Sequence, residues 1–180
     1  MNAKVIAVSR KATHKFSKNN QLAIDLVAGF GVSGDAHYGQ TVQHRYDKKK
    51  DPNRPNLRQV HLIQSELFDW VANKGYAIAP GDLGENITTR GIDLLALPLG
   101  TRLKLGESAI VELTGLRHPC KLINSLGQNL MDVMKDSTPK GEMRPKAGVM
   151  SVVIESGKIM PDDEVVVFLP NGPFVPLPIL

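Results

Sequence analysis

Hydrophobic positions along the chain fall in short runs cut by glycine and proline. Lys4 to Ser9 is apolar and β-branched, and Leu22-Ala23-Ile24-Asp25-Leu26-Val27 is apolar with one acid on its outer side; both predict strands, separated by the polar stretch Lys11 to Gln21. Gly29, Gly31, Gly34 and Gly39 crowd the next segment and predict an irregular loop. Gln59 to Ile63 predicts a strand, and Leu67, Phe68, Val71 and Ala72 give an apolar stripe for a helix from Glu66 to about Lys74, with Ser65 as its cap and Gly75 at its end. Pro80 to Gly84 is a turn cluster, followed by strands over Glu85–Thr89, Arg102–Leu105 and Ala109–Thr114. Lys121 to Lys135 carries a helical stripe that Gly127 weakens, so one helix or two shorter pieces are expected. Ser137 to Lys146 reads as a loop, and Gly148–Glu155 and Glu164–Leu169 as strands on either side of a turn at Ser156-Gly157. The tail, residues 170–180, holds four prolines and is expected to lie extended over the surface. Strands at this spacing predict a mostly-β fold, a closed barrel with two or three helices.

Length and composition narrow the function. The 180 residues, 42% hydrophobic and 22% charged, suit a single domain over 1–180. No apolar run is long enough for a membrane span, and the start lacks the pattern of a secretory leader, so a cytoplasmic protein without a membrane partner is expected. Residues 44–58 carry six Lys or Arg against two Asp, which accounts for the whole net charge of +4. With aromatics at 5% and Pro52 and Pro55 in the run, this reads as a solvated, flexible loop and not as a nucleic-acid surface. A second reading is a flap that offers cations to an anionic ligand.

Three places carry candidate chemistry. In Arg117-His118-Pro119-Cys120-Lys121 the proline starts a helical pattern, which sets the only cysteine at a helix start among cations. A lone cysteine is more commonly a small buried hydrophobe; its neighbours argue for a nucleophile or soft metal ligand instead. Asp35 and His37 on the glycine-rich loop and His44 just beyond, which Arg45 follows, could serve as metal ligands, although their spacing matches no standard site. Gly81 to Thr88, with Glu85, Asn86 and Thr88, places glycines beside polar groups at a strand start, where backbone N–H groups can face an anion; no P-loop lysine follows.

Taken in order, Gly34-Asp35-Ala36-His37 with His44-Arg45, then Pro80 to Asp93 with its Gly84-Glu85-Asn86 block, Leu97-Pro98-Leu99-Gly100, and Arg117-His118-Pro119-Cys120 resemble the MOSC domain family, over about residues 5–169. This domain ends molybdenum-cofactor sulfurases and also occurs as small stand-alone bacterial proteins. One departure lies near the end, where Pro161-Asp162-Asp163 stands in place of the family's usual Gly-Asp turn.

The resemblance implies a Greek-key-like closed barrel similar to the small barrel domain of pyruvate kinase. It also implies a molybdenum cofactor (molybdopterin), with Cys120 as the metal ligand. Reduction of N-hydroxylated compounds follows from that reading, with an electron-donor protein as partner. In the alternative, Cys120 carries a persulfide supplied by a cysteine desulfurase. The chain has no room for the pyridoxal-phosphate domain of the large sulfurases, so that cofactor is not expected. Asp35 and His37 are candidates for proton handling, and Arg45, His44, Glu85, Asn86, Thr88 and Arg117 for binding the cofactor. As polar loop groups, Asn86 and Arg45 are expected to contribute little to stability.

Overall fold

The computed structural model describes residues 2–137, 141 and 143–180. Strand β1 (Lys4–Arg10) leads into a polar connection carrying β2 (Asn19–Gln21), and β3 (Ile24–Val27) turns into β4 (Gly31–Val32). A long segment with one short helix, α1 (Arg45–Lys50), reaches β5 (Val60–Gln64), α2 (Glu66–Ala72) and β6 (Ile87–Arg90). Strands β7 (Arg102–Leu105) and β8 (Ala109–Leu116) form a hairpin, followed by a 3₁₀ turn over Lys121–Ser125 and helix α3 (Leu130–Val133). The chain ends with β9 (Lys135–Ser137), β10 (Met143–Pro145), β11 (Val149–Glu155), β12 (Gly157–Ile159), β13 (Val165–Phe168) and the tail.

The large sheet has the order β13-β7-β8-β11-β5-β6-β1-β2 and is mixed, because β5 and β6 pair in parallel while the other neighbours are antiparallel. A three-stranded sheet, β12-β3-β4, and the pair β10-β9 accompany it. The expected closed barrel is not formed: the large sheet is open, with β13 and β2 at its edges. Strand β1 meets the β13 end only over a short stretch, where Lys4 and Glu164 form an isolated bridge, Val5 N–H donates to Asp163 O (2.8 Å) and Val165 N–H to Ala3 O (2.9 Å). The rhythm of strands along a sequence sets their number, whereas closure needs the first and last to run together over a continuous ladder. Here a turn faces β1, with Asp162 in the left-handed region at φ 73° and its N–H donating to Val5 O (2.9 Å).

Strand β5 joins two apolar clusters because it is covered on both faces. Val60 and Leu62 enter the main core with Val5, Leu26, Ile87 and Val111, between the large and small sheets. Ile63 points the other way, to Leu67 and Val71 of α2, Ile123 and Leu130. The chain passes from the large sheet to the small one at Ser156, so the predicted turn connects β11 to β12, which pairs with β3.

Several local expectations change. The basic segment forms α1 with no buried residue, in place of a loop. Helix α2 stands where its stripe predicts, but the Ser65 side chain caps nothing and its Oγ accepts from Arg90 Nε (3.0 Å). The Lys121–Lys135 stripe yields two short pieces, and Gly127 lies between them against the Tyr76 ring. The loop expected over Ser137–Lys146 contains the last residue of β9 and the whole of β10; residues 138–140 and 142 lie outside the described residues. The tail does lie over the surface, with Leu116 N–H donating to Pro178 O (2.7 Å) and Leu180 N–H to Leu116 O (3.0 Å).

Leu22 and Ile63 both belong to apolar runs, but Leu22 is 94% exposed and Ile63 fully buried. Ile63→Ala is expected to cost about 2–5 kcal/mol, read as a lower urea midpoint at constant slope, while Leu22→Ala changes stability by less than about 0.5 kcal/mol.

Candidate functional site

Glycine packing builds one wall of the main cleft. The chain between β1 and β2 passes over the Pro80–Gly84 turn, where Lys18 N–H donates to Gly81 O (2.8 Å). A Cβ on Gly84 would collide with Phe16 O, and one on Gly81 with Lys18 O; both glycines also hold positive φ, 79° and 93°. Only glycine allows this approach, and it sets Phe16 and Lys18 beside the ends of β5 and β6. The amides of the turn are used internally, because Gly81 N–H donates to Glu85 Oε1 (2.6 Å), which also accepts from Thr88 Oγ1 (3.2 Å). Glu85 and Thr88 are therefore buried behind the turn and do not line the cleft, and the turn's amides do not form the expected anion cradle.

The cleft has a volume of about 270 Å³ and is lined by Cys120, His37, His44, Arg45, Asn86 and Arg117 from the sequence-derived set. It adds His14, Lys15, Lys18, Arg58, His61 and His118, so all five histidines and the one cysteine of the chain share it. No acid lines it. Lys18 and His14 sit in the polar stretch that read only as a separator, and no motif marks them. Of the basic segment, Arg45 and Arg58 reach the cleft; Lys48 bonds to Gln43 and Lys50 lies over the Tyr46 ring.

The acids stand behind the wall. Asp35 is buried and does not line the cleft. Its Oδ2 accepts from Lys18 Nζ (2.9 Å), Asn86 Nδ2 (3.1 Å) and Lys11 N–H (3.2 Å), and its Oδ1 from His37 N–H (3.0 Å) and Nδ1 (3.3 Å). Burial alone would raise the Asp35 carboxyl, but His37 and Lys18 outweigh it and hold it well below the carboxylate range. Since a carboxylate only accepts, His37 Nδ1 carries the proton on that side and Nε2 is the free ring nitrogen. Asn86 spans the structure from β1 to β5, donating to Ser9 O (3.1 Å) as well as Asp35, and accepting from His61 N–H (3.2 Å). It is a buried structural residue, contrary to the expected loop group.

Cys120 is half-buried and caps the 3₁₀ turn over Lys121–Ser125, so the helix expected to begin there is a single short turn. Arg117 follows β8, its backbone N–H donating to Gly148 O (3.0 Å), and its Nη1 is buried with no hydrogen-bond partner among the described residues. Burial lowers the Arg117 guanidinium; the charge of Cys120 opposes this most, followed by that of Glu85. Burial, then Arg117, push His61 far below the ordinary histidine range, and its Nε2 donates to Ala147 O (2.7 Å). Burial likewise lowers His37 and His44. Among the described residues no three His, Cys, Asp or Glu converge on a metal-sized point, so Asp35, His37 and His44 do not form a metal site.

The molecule is an open mixed β structure with a cleft that gathers cations around one thiol. The profile of the MOSC domain matches residues 33–166, and the chain belongs to that family. The crystal structure of the YuaD protein from Bacillus subtilis is similar in fold, with a TM-score of 0.73 at 24% identity over 93% of this chain and 96% of that one. YiiM from Geobacillus stearothermophilus (TM-score 0.65, 17% identity, 97% of this chain and 79% of that one) and YiiM from Escherichia coli (0.64, 20%, 97% and 73%) share the same fold. No curated protein matches the chain. No helix among the described residues is long and apolar enough to cross a membrane.

Two predictions follow from these contacts. Asn86→Ala leaves Asp35 and two backbone groups short of partners and is expected to cost about 1–3 kcal/mol, whereas Arg45→Ala stays within about 0.5 kcal/mol in the same thermal melts. The lowered histidines set a pH dependence: the unfolded chain takes up their protons first, so stability is full above about pH 6.5 and falls as the pH drops below it. Melting between about pH 7.5 and about pH 5 should show that fall, reduced by close to one proton in His61→Gln, which keeps a donor for Ala147 O.

Proposed function

We propose that the cleft holds a molybdenum cofactor with Cys120 as the protein's ligand to the metal, and that the protein reduces N-hydroxylated compounds. The carrying observation is the lining itself: one thiol, several cations and, among the described residues, no acid. A metal held by protein donors alone needs three or more of them, and no such group exists among the described residues. A metal that arrives in its own organic ligand needs only one soft donor from the protein, and a phosphate-bearing pterin needs cations around it. The residues present fit such a group.

When bound, the cofactor supplies two-electron transfer. In the net reaction R–NHOH takes two electrons and two protons, the N–O bond breaks, and R–NH₂ and water leave; a reduced redox protein is oxidised in turn. His37, with Nδ1 held by Asp35, presents Nε2 to the cleft as the proton-handling atom, and Asp35 acts by positioning it. Arg45 and Arg58 place positive charge at the cleft for an anionic ligand.

Protein purified from a cofactor-making host is expected to contain molybdenum and pterin in equal amounts. Cys120→Ser loses the metal and the reductase activity while melting as the parent does, since a serine hydroxyl stays protonated and is no soft ligand. A labile sulfur on Cys120 without metal would replace this reading with the persulfide carrier and its desulfurase partner. Native Cys120 resisting alkylation, with activity kept in the serine variant, would overturn both.

A further inference from the structure

We propose that Lys18 and Arg117 form an oxyanion seat in the inner wall of the cleft, one that grips the phosphate end of a phosphate monoester. The inference rests on the cofactor reading, for which it names the phosphate-holding residues, and it adds a lysine that no motif marks.

Two buried cations in the lining carry it, one of them with a bare donor. Arg117 Nη1 is buried in the cleft wall without a partner among the described residues. A desolvated guanidinium N–H that bonds to nothing is costly, and such groups are paired as a rule. Lys18 is the second cation, its side chain only 6% exposed. Of its three ammonium protons one meets Asp35 Oδ2 from behind, and no other acceptor faces Nζ among the described residues. Both line the cleft; burial lowers Lys18, and the charge of Arg117 adds to this against the pull of Asp35 and Glu85.

Geometry also fixes the position. Lys18 is held by its own amide on Gly81 O, and Arg117 by its amide on Gly148 O, so neither backbone is free to withdraw. Asp35 offsets the charge of Lys18 from the interior, and an anion in the cleft would partner the Arg117 donor that the interior leaves bare. A neutral N-hydroxyl group cannot compensate two cations, and a carboxylate offers two oxygens in one plane. A dianionic phosphate monoester presents three terminal oxygens, enough for the arginine fork and the lysine together. Arg58, paired with Asp47 at 3.4 Å, lies further out and steers the anion inward.

The test uses cofactor-free protein and free probes, so it can fail independently of the cofactor reading, which fails through missing molybdenum and pterin. Thermal melts are titrated with phenyl phosphate, inorganic phosphate, benzenesulfonate and chloride at matched ionic strength. Phenyl phosphate is expected to raise the melting temperature most. Its affinity should fall about tenfold or more in Arg117→Gln and in Lys18→Met. If Lys18→Met fails to fold because Asp35 loses its partner, the double variant Lys18→Met/Asp35→Asn removes both charges together and should show the same loss, although net charge is unchanged. Equal shifts from all four anions, or a phenyl phosphate shift that survives these variants, would overturn the seat. A shift from inorganic phosphate without one from phenyl phosphate would overturn the monoester and leave a free-ion site.

Discussion

One buried carboxylate ties together the parts of this protein that meet at the cleft. Asp35 accepts from Lys18 and the Lys11 amide of the β1–β2 connection, from His37 of its own loop and from Asn86 before β6. Each of those contacts would be weak on an exposed surface. Out of water, and with five donors converging, the charge stays on the carboxylate and the donors stay in place. Asn86 extends the junction to both neighbouring strands, because it bonds to Ser9 of β1 and to His61 of β5. The positions of Lys18, His37 and His61 around the cleft are consequences of that one group.

The arrangement separates charge by depth. Carboxylates of Asp35 and Glu85 lie in the interior, and the cations they influence face the cleft. Such a layout keeps a cationic cavity foldable, since the acids offset the desolvation of the bases, and it still leaves the open side positive. The thiol of Cys120 sits on that side with Arg117, so a soft donor and cationic groups share one small volume.

Local pattern made much of the fold legible. The short apolar runs of β1 and β5 and the stripe of α2 are read directly, and Pro119 stands just before the 3₁₀ turn that follows Cys120. What escaped depends on distant partners. Lys18 gains its position from two glycines more than sixty residues away, against which its segment packs. Asn86 looks like any polar residue at a strand start, and only the neighbouring strands reveal it as a buried brace. Glu85 and Thr88 carry the right residue types for a ligand, but the turn before them claims their hydrogen bonds. Closure of the sheet was equally hidden, because it depends on how far β1 and β13 run together and not on the number of strands.

The tail, too, has a part in the site. Its last residues lie along Leu116, taking that residue's N–H at Pro178 and supplying Leu180 N–H to its carbonyl, and they pack so tightly on Gly115 that a Cβ there would strike Leu180 and the Pro178 carbonyl. Gly115 and Leu116 end β8, and the next residues are Arg117 to Cys120. The far end of the chain is thus a splint on the strand that aims the cysteine. Proteolytic nicking or crowding at residues 178–180 would loosen the thiol's anchor without touching the cleft, so the integrity of this end belongs among the conditions for a working site.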